Sequence, residues 1–135
     1  MRKILLAASL LAFAAAPALA QMVADVKFQP GNYGTMVSGT IKGGEYFDYK
    51  LGAKAGQEMF VELKVDSTNG DGSAFFNILP PGSDGVAIFN GSTSADGTAK
   101  IQLPKDGTYT IRVYLMGNDK DAGKTGGYNV DISIQ

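Results

Sequence analysis

The chain of 135 residues contains no cysteine and no histidine. Without cysteine no disulfide can stabilise the fold, so the hydrophobic core must do so alone. The two absences also remove the commonest catalytic bases, nucleophiles and transition-metal ligands. No serine stands in a G-x-S-x-G sequence, which is typical of hydrolase nucleophiles. The sequence therefore predicts a protein that is not an enzyme and that carries no cofactor or metal.

The remaining candidates for chemistry are carboxylates in loops. Asp119 with Asp121, and Asp66 with Asp71, could in principle work as acid–base pairs. Both pairs lie among Gly, Asn and Ser, where Asp is expected for turn formation alone. The segment Asp66–Gly72 also offers oxygen atoms of the kind that Ca²⁺ prefers, but it lacks the terminal glutamate and the spacing of an EF-hand. Solvated turns are the favoured interpretation of both loops.

The chain has little excess charge and one long apolar run. Its formal net charge of −1 argues against nucleic acid or an anionic membrane as partner.

The apolar run, Ile4–Ala16, follows a basic pair and precedes the small residues Ala18–Ala20, a pattern typical of a secretory signal peptide. The alternative, a transmembrane anchor, would need a longer run. We therefore expect residues 1–20 to be cleaved before Gln21 and the protein to be exported to the periplasm.

The rest of the chain, residues 21–135, is predicted to form a single domain without a membrane span. It has 10 basic and 13 acidic residues, a net charge of −3. No internal repeat, linker or low-complexity segment divides it. A chain of this length is large enough to bury roughly two thirds of its unfolded surface.

The last part of the chain shows the clearest pattern. Apolar and polar residues alternate over Tyr109–Met116 and again over Tyr128–Ile134, which predicts two strands with one buried face each. The polar, glycine-rich segment Gly117–Gly127 separates them. We interpret the whole as a terminal hairpin with a long tip. Because loops of that length often carry function, the tip is the first candidate for a working surface.

Short strands separated by turn signals account for the remainder, and no segment has helical periodicity of useful length. A turn is predicted at Lys42–Glu45. About nine short strands with frequent turns are typical of an all-β, antiparallel β-sandwich with jelly-roll or Greek-key connections. Besides the terminal pair, the predicted strands are Val26–Phe28, Val37–Ile41, Tyr46–Leu51, Met59–Val65, Ala74–Leu79, Val86–Phe89 and Ala99–Leu103.

Tyrosines have two interpretations in such a fold. They could mark a sugar-stacking face or a protein interface, where tyrosine is favoured. More simply, they could be strand residues with one apolar side. The residues concerned are Tyr33, Tyr46, Tyr49, Tyr114 and Tyr128.

Several short motifs resemble those of the periplasmic inhibitors of g-type lysozyme, in the same order and spacing over nearly all of residues 21–135. Some of them are shared with the broader pre-peptidase C-terminal-like sandwich domains. The motifs are Ser38-Gly39-x-Ile41-Lys42-Gly43-x-x-Tyr46-x-x-Tyr49, Ala53-Lys54-x-Gly56-Gln57, Leu103-Pro104-x-x-Gly107-x-Tyr109-x-Ile111-Arg112-Val113, Asn118-Asp119 and Tyr128-Asn129-Val130-Asp131-Ile132-x-Ile134.

The resemblance implies a protein partner, a host g-type lysozyme, whose substrate cleft is occupied by two loops of the inhibitor. Lysines of these loops would approach the catalytic carboxylates of the lysozyme. The implied partner-binding residues are Ser38, Lys42, Gly43, Gly44, Glu45 and Tyr46 in the first loop, and Gly117, Asn118, Asp119, Lys120, Asp121 and Lys124 in the second.

The sequence departs from the family pattern at three positions. The family has an aromatic residue after the Lys-Gly pair and arginines beside the Asn-Asp pair, whereas this chain has Gly44, Gly117 and Asp121. Aromatic residues and arginines often dominate binding energy. The competing hypothesis is a pre-peptidase-like module that binds a glycan or a protein without inhibiting a lysozyme, and a third hypothesis is a structural protein of the cell envelope.

Overall fold

The fold is seen in a computed structural model that describes residues 22–94 and 96–135. The predicted signal peptide, residues 1–20, lies outside the described residues. Within these ranges two single turns of helix accompany the strands, a 3₁₀ turn at Gly91–Thr93 and α1 at Gly117–Asp121. The strands are β1 (Met22–Asp25), β2 (Gly34–Lys42), β3 (Tyr46–Ala53), β4 (Glu58–Thr68), β5 (Ala74–Leu79), β6 (Phe89–Asn90), β7 (Thr98–Gln102), β8 (Gly107–Leu115) and β9 (Thr125–Ile134).

Two sheets pack face to face, which confirms the predicted all-β sandwich. The first sheet has five strands in the order β1-β3-β8-β5-β6, and the second has four in the order β2-β9-β4-β7. Among the described strands every pairing is antiparallel except that of β1 with β3. No helix within the described ranges is long and apolar enough to cross a membrane.

The predicted terminal hairpin is wrong, because its two strands belong to different sheets. β8 pairs with β3 and β5, whereas β9 pairs with β2 and β4. The segment between them crosses from one sheet to the other. Alternation shows that one face of each strand is buried, but both sheets of a sandwich bury such a face. A connection of this length is also free to change sheets.

Three local predictions also need correction. The first strand is Met22–Asp25 rather than Val26–Phe28, and it runs parallel to β3. The strand expected at Val86–Phe89 is reduced to Phe89–Asn90, because its partner β5 ends at Leu79, just before a pair of prolines that cannot donate ladder hydrogen bonds. The second loop, expected to be irregular, contains the helical turn α1.

The buried side chains alternate along the strands as the sequence predicts. Alternate residues of β4, β8 and β9 are buried between the sheets, as expected. Tyr49 and Tyr128 also lie in this core, where their hydroxyl groups are 2.7 Å apart and hydrogen-bonded. Their rings meet edge to face at 6.4 Å between centroids. The pair joins the two sheets, since Tyr49 belongs to β3 and Tyr128 to β9.

Gly39 is required by this tyrosine pair. A Cβ atom there would lie 2.5 Å from the Tyr128 hydroxyl oxygen and 3.1 Å from that of Tyr49. We expect Gly39→Ala to lower the free energy of unfolding by about 1–3 kcal/mol, because the hydroxyl pair must move within a packed core. Gly52→Ala is the matched control, since a Cβ at Gly52 meets nothing within 4 Å. Urea unfolding of both variants checks this, and equal losses would contradict it.

Candidate functional site

The first loop, Lys42–Tyr46, and the second loop, Gly117–Lys124, lie side by side at one end of the sandwich. The Gly43 N–H donates a hydrogen bond to the Lys124 carbonyl oxygen at 2.9 Å. A Cβ on Gly43 would be only 3.3 Å from the Cα of Gly123. The contact follows from the sheet register, because Lys42 at the end of β2 is paired with Thr125 at the start of β9. We call this end of the molecule the loop face.

The first loop is a tight, self-bonded turn. The Glu45 N–H donates to the Lys42 carbonyl oxygen, and the Lys42 N–H donates to the Glu45 carboxylate, both at 3.0 Å. Gly43 has a positive φ of 57°, a conformation that glycine adopts without steric cost. The turn therefore holds one shape before any partner arrives, with the Lys42 side chain exposed.

The second loop is held by its own helical turn. The Ala122 N–H donates to the Asn118 carbonyl oxygen at 2.8 Å, and the Lys124 N–H donates to the Asp119 carbonyl oxygen at 2.9 Å. Gly117 and Gly123, at the two ends of the turn, have φ values of 62° and 64°. Lys120 stands exposed on this turn.

Asp119 differs from the solvated loop residue that its sequence context predicts. Its side chain is buried, with 1% exposure. Its two carboxylate oxygens accept hydrogen bonds from the N–H groups of Asp71 and Ser73, each at 2.8 Å. These bonds lower the pKa of Asp119 below its usual range. The carboxylate is thus a charged anchor inside the loop face.

The other candidate residues vary in exposure. Ser38 lies back along β2, where its hydroxyl group donates to the Asn129 side chain at 2.6 Å. Gly43 is buried with Asp119, while Gly44, Glu45, Tyr46 and Lys124 are half-buried. The exposed candidates are Ser38, Lys42, Gly117, Asn118, Lys120 and Asp121.

A groove of about 350 Å³ runs from the loop face onto the outer surface of the first sheet. The sequence pattern does not indicate this groove, although alternation along β8 places Arg112 and Tyr114 on the outer face of that strand. Its lining residues are Gly44, Glu45, Tyr46, Asn77, Ser92, Arg112, Tyr114, Leu115, Met116 and Lys120.

An ion pair holds Arg112, one of the residues that line this groove, in place. Arg112 donates from Nε and Nη2 to the two carboxylate oxygens of Asp48, at 2.8 and 3.0 Å, and Asp48 is fully buried. The bond to Asp48 raises the pKa of Arg112. The guanidinium group also lies 4.5 Å from the centroid of the Tyr46 ring. A bidentate, stacked arginine fixes Tyr46 at the base of the first loop.

Comparison with known proteins agrees with the resemblance noted above. The chain is 33% identical over 111 residues to the inhibitor of g-type lysozyme of Escherichia coli K12, a match covering 82% of this chain and 80% of that protein. No family model matches the chain.

Solved structures give the same result. The Aeromonas hydrophila PliG structure, described as a periplasmic lysozyme inhibitor of g-type lysozyme, has a TM-score of 0.75 and 31% identity, and the match covers 84% of this chain and 96% of that one. Salmonella Typhimurium PliG has a TM-score of 0.67 and 27% identity, with 86% and 100% covered. A pre-peptidase C-terminal domain of Bacillus anthracis collagenase, 14% identical with a TM-score of 0.56, shares the fold alone. The chain therefore belongs to the family of periplasmic inhibitors of g-type lysozyme.

Proposed function

We propose that this protein is an exported inhibitor that places its loop face in the substrate cleft of a host g-type lysozyme and so protects peptidoglycan. On this proposal residues 1–20 direct export, and residues 21–135 act in the periplasm as one sandwich domain. Family membership supports inhibition of this lysozyme class. The observation that carries the cleft mechanism is the direct contact between the first and second loops, because a single cleft can admit both.

The shape of the loops favours tight binding. Both are closed by backbone hydrogen bonds of their own, and the Gly43 to Lys124 bond joins them. A partner that binds preformed loops loses less conformational entropy on association than one that must order them. The scaffold supplies this order without a disulfide, through β2 and β9, which end at the two loops.

The charges of the loop face suit a cleft that contains carboxylates. Lys42 and Lys120 are exposed on neighbouring loops, so each ammonium group is available to donate to an acidic residue of the lysozyme. Such charge pairs gain strength when the cleft excludes water. Lys124 is half-buried between the loops and its carbonyl oxygen is engaged, so we assign it chiefly to holding the two loops together.

The test is a cell-wall clearing assay with purified g-type lysozyme, run beside c-type and i-type enzymes. We expect the protein to slow clearing by the g-type enzyme at micromolar concentration or below. If it slows none of them, the proposed function is wrong. Retention of the protein on peptidoglycan would then favour the glycan-binding alternative.

Removing the two exposed lysines should weaken inhibition without harming the fold. We expect Lys42→Ala combined with Lys120→Ala to raise the inhibition constant by about tenfold or more, because two charge-assisted contacts are lost. The thermal midpoint should stay nearly unchanged, since exposed loop charges contribute little to stability. Inhibition assays and thermal melts measure the two quantities.

The matched control is Lys54→Ala combined with Lys105→Ala. Both lysines are exposed and lie at the opposite end of the sandwich, after β3 and before β8. The control removes the same charge, so a general electrostatic effect on association would appear in both double variants. Equal weakening in the two would show that the loop lysines make no specific contact.

A further inference from the structure

We infer that a third loop, Asp66–Ser73, belongs to the loop face and contacts the lysozyme through the carboxylate of Asp71, which binds a basic side chain at the rim of the cleft. This inference rests on the proposed function and extends its binding surface. The third loop begins in the last residues of β4 and leads to β5, and the sequence predicted a solvated turn there. The structure instead attaches it to the second loop at several points.

Asp119 makes the central attachment. Its carboxylate lies within the third loop and accepts hydrogen bonds from the N–H groups of Asp71 and Ser73. The fit is close, because a Cβ added to Gly70 would fall well inside contact distance of the Asp119 carboxylate and 3.0 Å from the Cβ of Lys124. Backbone amides that converge on a charged acceptor form strong hydrogen bonds. The second and third loops therefore behave as one unit.

Hydrogen bonds at both ends of the second loop extend this attachment. Before it, the Met116 N–H donates to the Ser73 carbonyl oxygen at 3.0 Å. After it, the Thr125 N–H donates to the side-chain oxygen of Asn69 at 2.9 Å. The Thr125 carbonyl oxygen in turn accepts from the hydroxyl group of Thr68, also at 2.9 Å. The third loop is thus fixed along the whole length of the second.

A bulge in β4 brings the third loop to this position. The pairing of β4 with β9 changes register between Val65 and Ser67, and it then continues to Gly126 and Gly127 at the start of β9. A bulge bends its strand and increases the local twist. Gly127 allows the close approach, since a Cβ there would lie 2.7 Å from a carboxylate oxygen of Asp66.

Asp71 is the residue of this loop that is placed to meet a partner. Its N–H points inward to Asp119, while the residue as a whole is exposed. Within the described part of the chain no group bonds to its carboxylate. The carboxylate of Asp66, by contrast, accepts from the side chains of Ser67 and Asn129 at 3.2 and 3.4 Å. Asp71 therefore adds a negative charge, held on a hydrogen-bonded backbone, to a face that also carries exposed lysines.

A face with both signs of charge selects a partner with the complementary arrangement. Lys42 and Lys120 suit the acidic residues within a cleft, and Asp71 suits a basic residue beside it. Complementary charges of both signs fix the orientation of the complex as well as its affinity. The third loop accordingly contributes to specificity among lysozymes.

Asp71→Asn tests the inference, with the inhibition constant against g-type lysozyme as the readout. We expect an increase of about tenfold, which is typical for the loss of a charge-assisted contact, and a further increase for Asp71→Lys. Asp131→Asn is the control, because Asp131 is exposed on β9 in the second sheet and the charge change is identical. The control should leave the inhibition constant unchanged.

The outcomes separate this inference from the proposed function. If the unchanged protein inhibits the lysozyme and Asp71→Asn inhibits equally well, the third loop is not part of the binding surface and this inference alone is wrong. If the unchanged protein does not inhibit, the proposed function fails and the inference fails with it. A thermal midpoint of Asp71→Asn close to that of the unchanged protein shows that the fold is intact in either case.

Discussion

Ile111→Ala is expected to lower the free energy of unfolding by about 2–5 kcal/mol, the range observed for large-to-small substitutions at fully buried positions. Ile111 has no exposed surface. It lies in β8, the middle strand of the first sheet, with Tyr49 of β3 and Ile78 of β5 as its registered neighbours. Both neighbours are themselves buried, so the surrounding side chains have little room to collapse into the space that Ile111 leaves.

Urea unfolding at neutral pH measures this loss, with Ile88→Ala as the matched control. Ile88 is 40% exposed and lies outside the regular strands, so the same chemical change should cost about 1 kcal/mol or less there. Inhibition by folded Ile111→Ala should be preserved well below its midpoint, because Ile111 does not line the loop face. If the two isoleucine variants lose equal stability, the described core is wrong.

The same strand shows what the sequence can predict about this fold. The alternation over Tyr109–Met116 identifies the inward residues of β8, because a side chain's face depends only on the parity of its position. Tyr109, Ile111, Val113 and Leu115 are buried as expected. Parity carries no information about which strand lies alongside. The partners of β8 are β3 and β5, each far away in the sequence, so the assignment of β8 and β9 to one hairpin was wrong.

The sequence also predicts which loops form the candidate site, but not that these loops are in contact. Glycine-rich polar segments locate loops, and the family resemblance selected two of them. Their contact, however, depends on the register that pairs Lys42 with Thr125, and register between distant strands is a tertiary property. The ion pair of Arg112 with Asp48 was missed in the same way, since the two residues are registered partners across β3 and β8.

Asp119 is the clearest case of a residue whose role the sequence conceals. Asp among Gly, Asn and Lys is typical of a solvated turn. Here the donors that bury its carboxylate are the amides of Asp71 and Ser73, which belong to a different loop. A carboxylate can be buried in its charged form only when such donors surround it. This arrangement makes Asp119 a positioning residue for the loop face.

Asp119→Asn should therefore weaken inhibition more than the loss of any exposed residue of the loop face. The amide oxygen can accept one of the two backbone bonds, but the amide nitrogen presents a donor to the other N–H group. One buried donor then lacks an acceptor, and the second and third loops separate part of the time. If the second and third loops are joined in only about one molecule in a hundred, the apparent affinity for the lysozyme falls about a hundredfold.

Stability should change with pH in a direction fixed by the pKa of Asp119. The two backbone bonds hold this pKa below its ordinary value of 3.8, so the charged carboxylate stabilises the fold fully at pH values above 3.8. That stabilisation is lost as the pH falls through the lower pKa of the native state. We expect the thermal midpoint of Asp119→Asn to be several degrees lower at pH 7, and the difference from the unchanged protein to narrow below about pH 4.

Binding kinetics distinguish positioning from contact. If Asp119 acts only by keeping the loops joined, the variant spends less time in the competent arrangement, so its association rate constant falls with that population. Once bound, the complex has all its contacts, and the dissociation rate constant should change little. Asp71→Asn should differ by dissociating faster, because a direct contact is lost, and any fall in its association rate constant should shrink at high salt, because that part comes from electrostatic steering. Faster dissociation of Asp119→Asn with an unchanged association rate would instead place Asp119 in direct contact with the lysozyme, and the buried anchor seen here would have to open on binding.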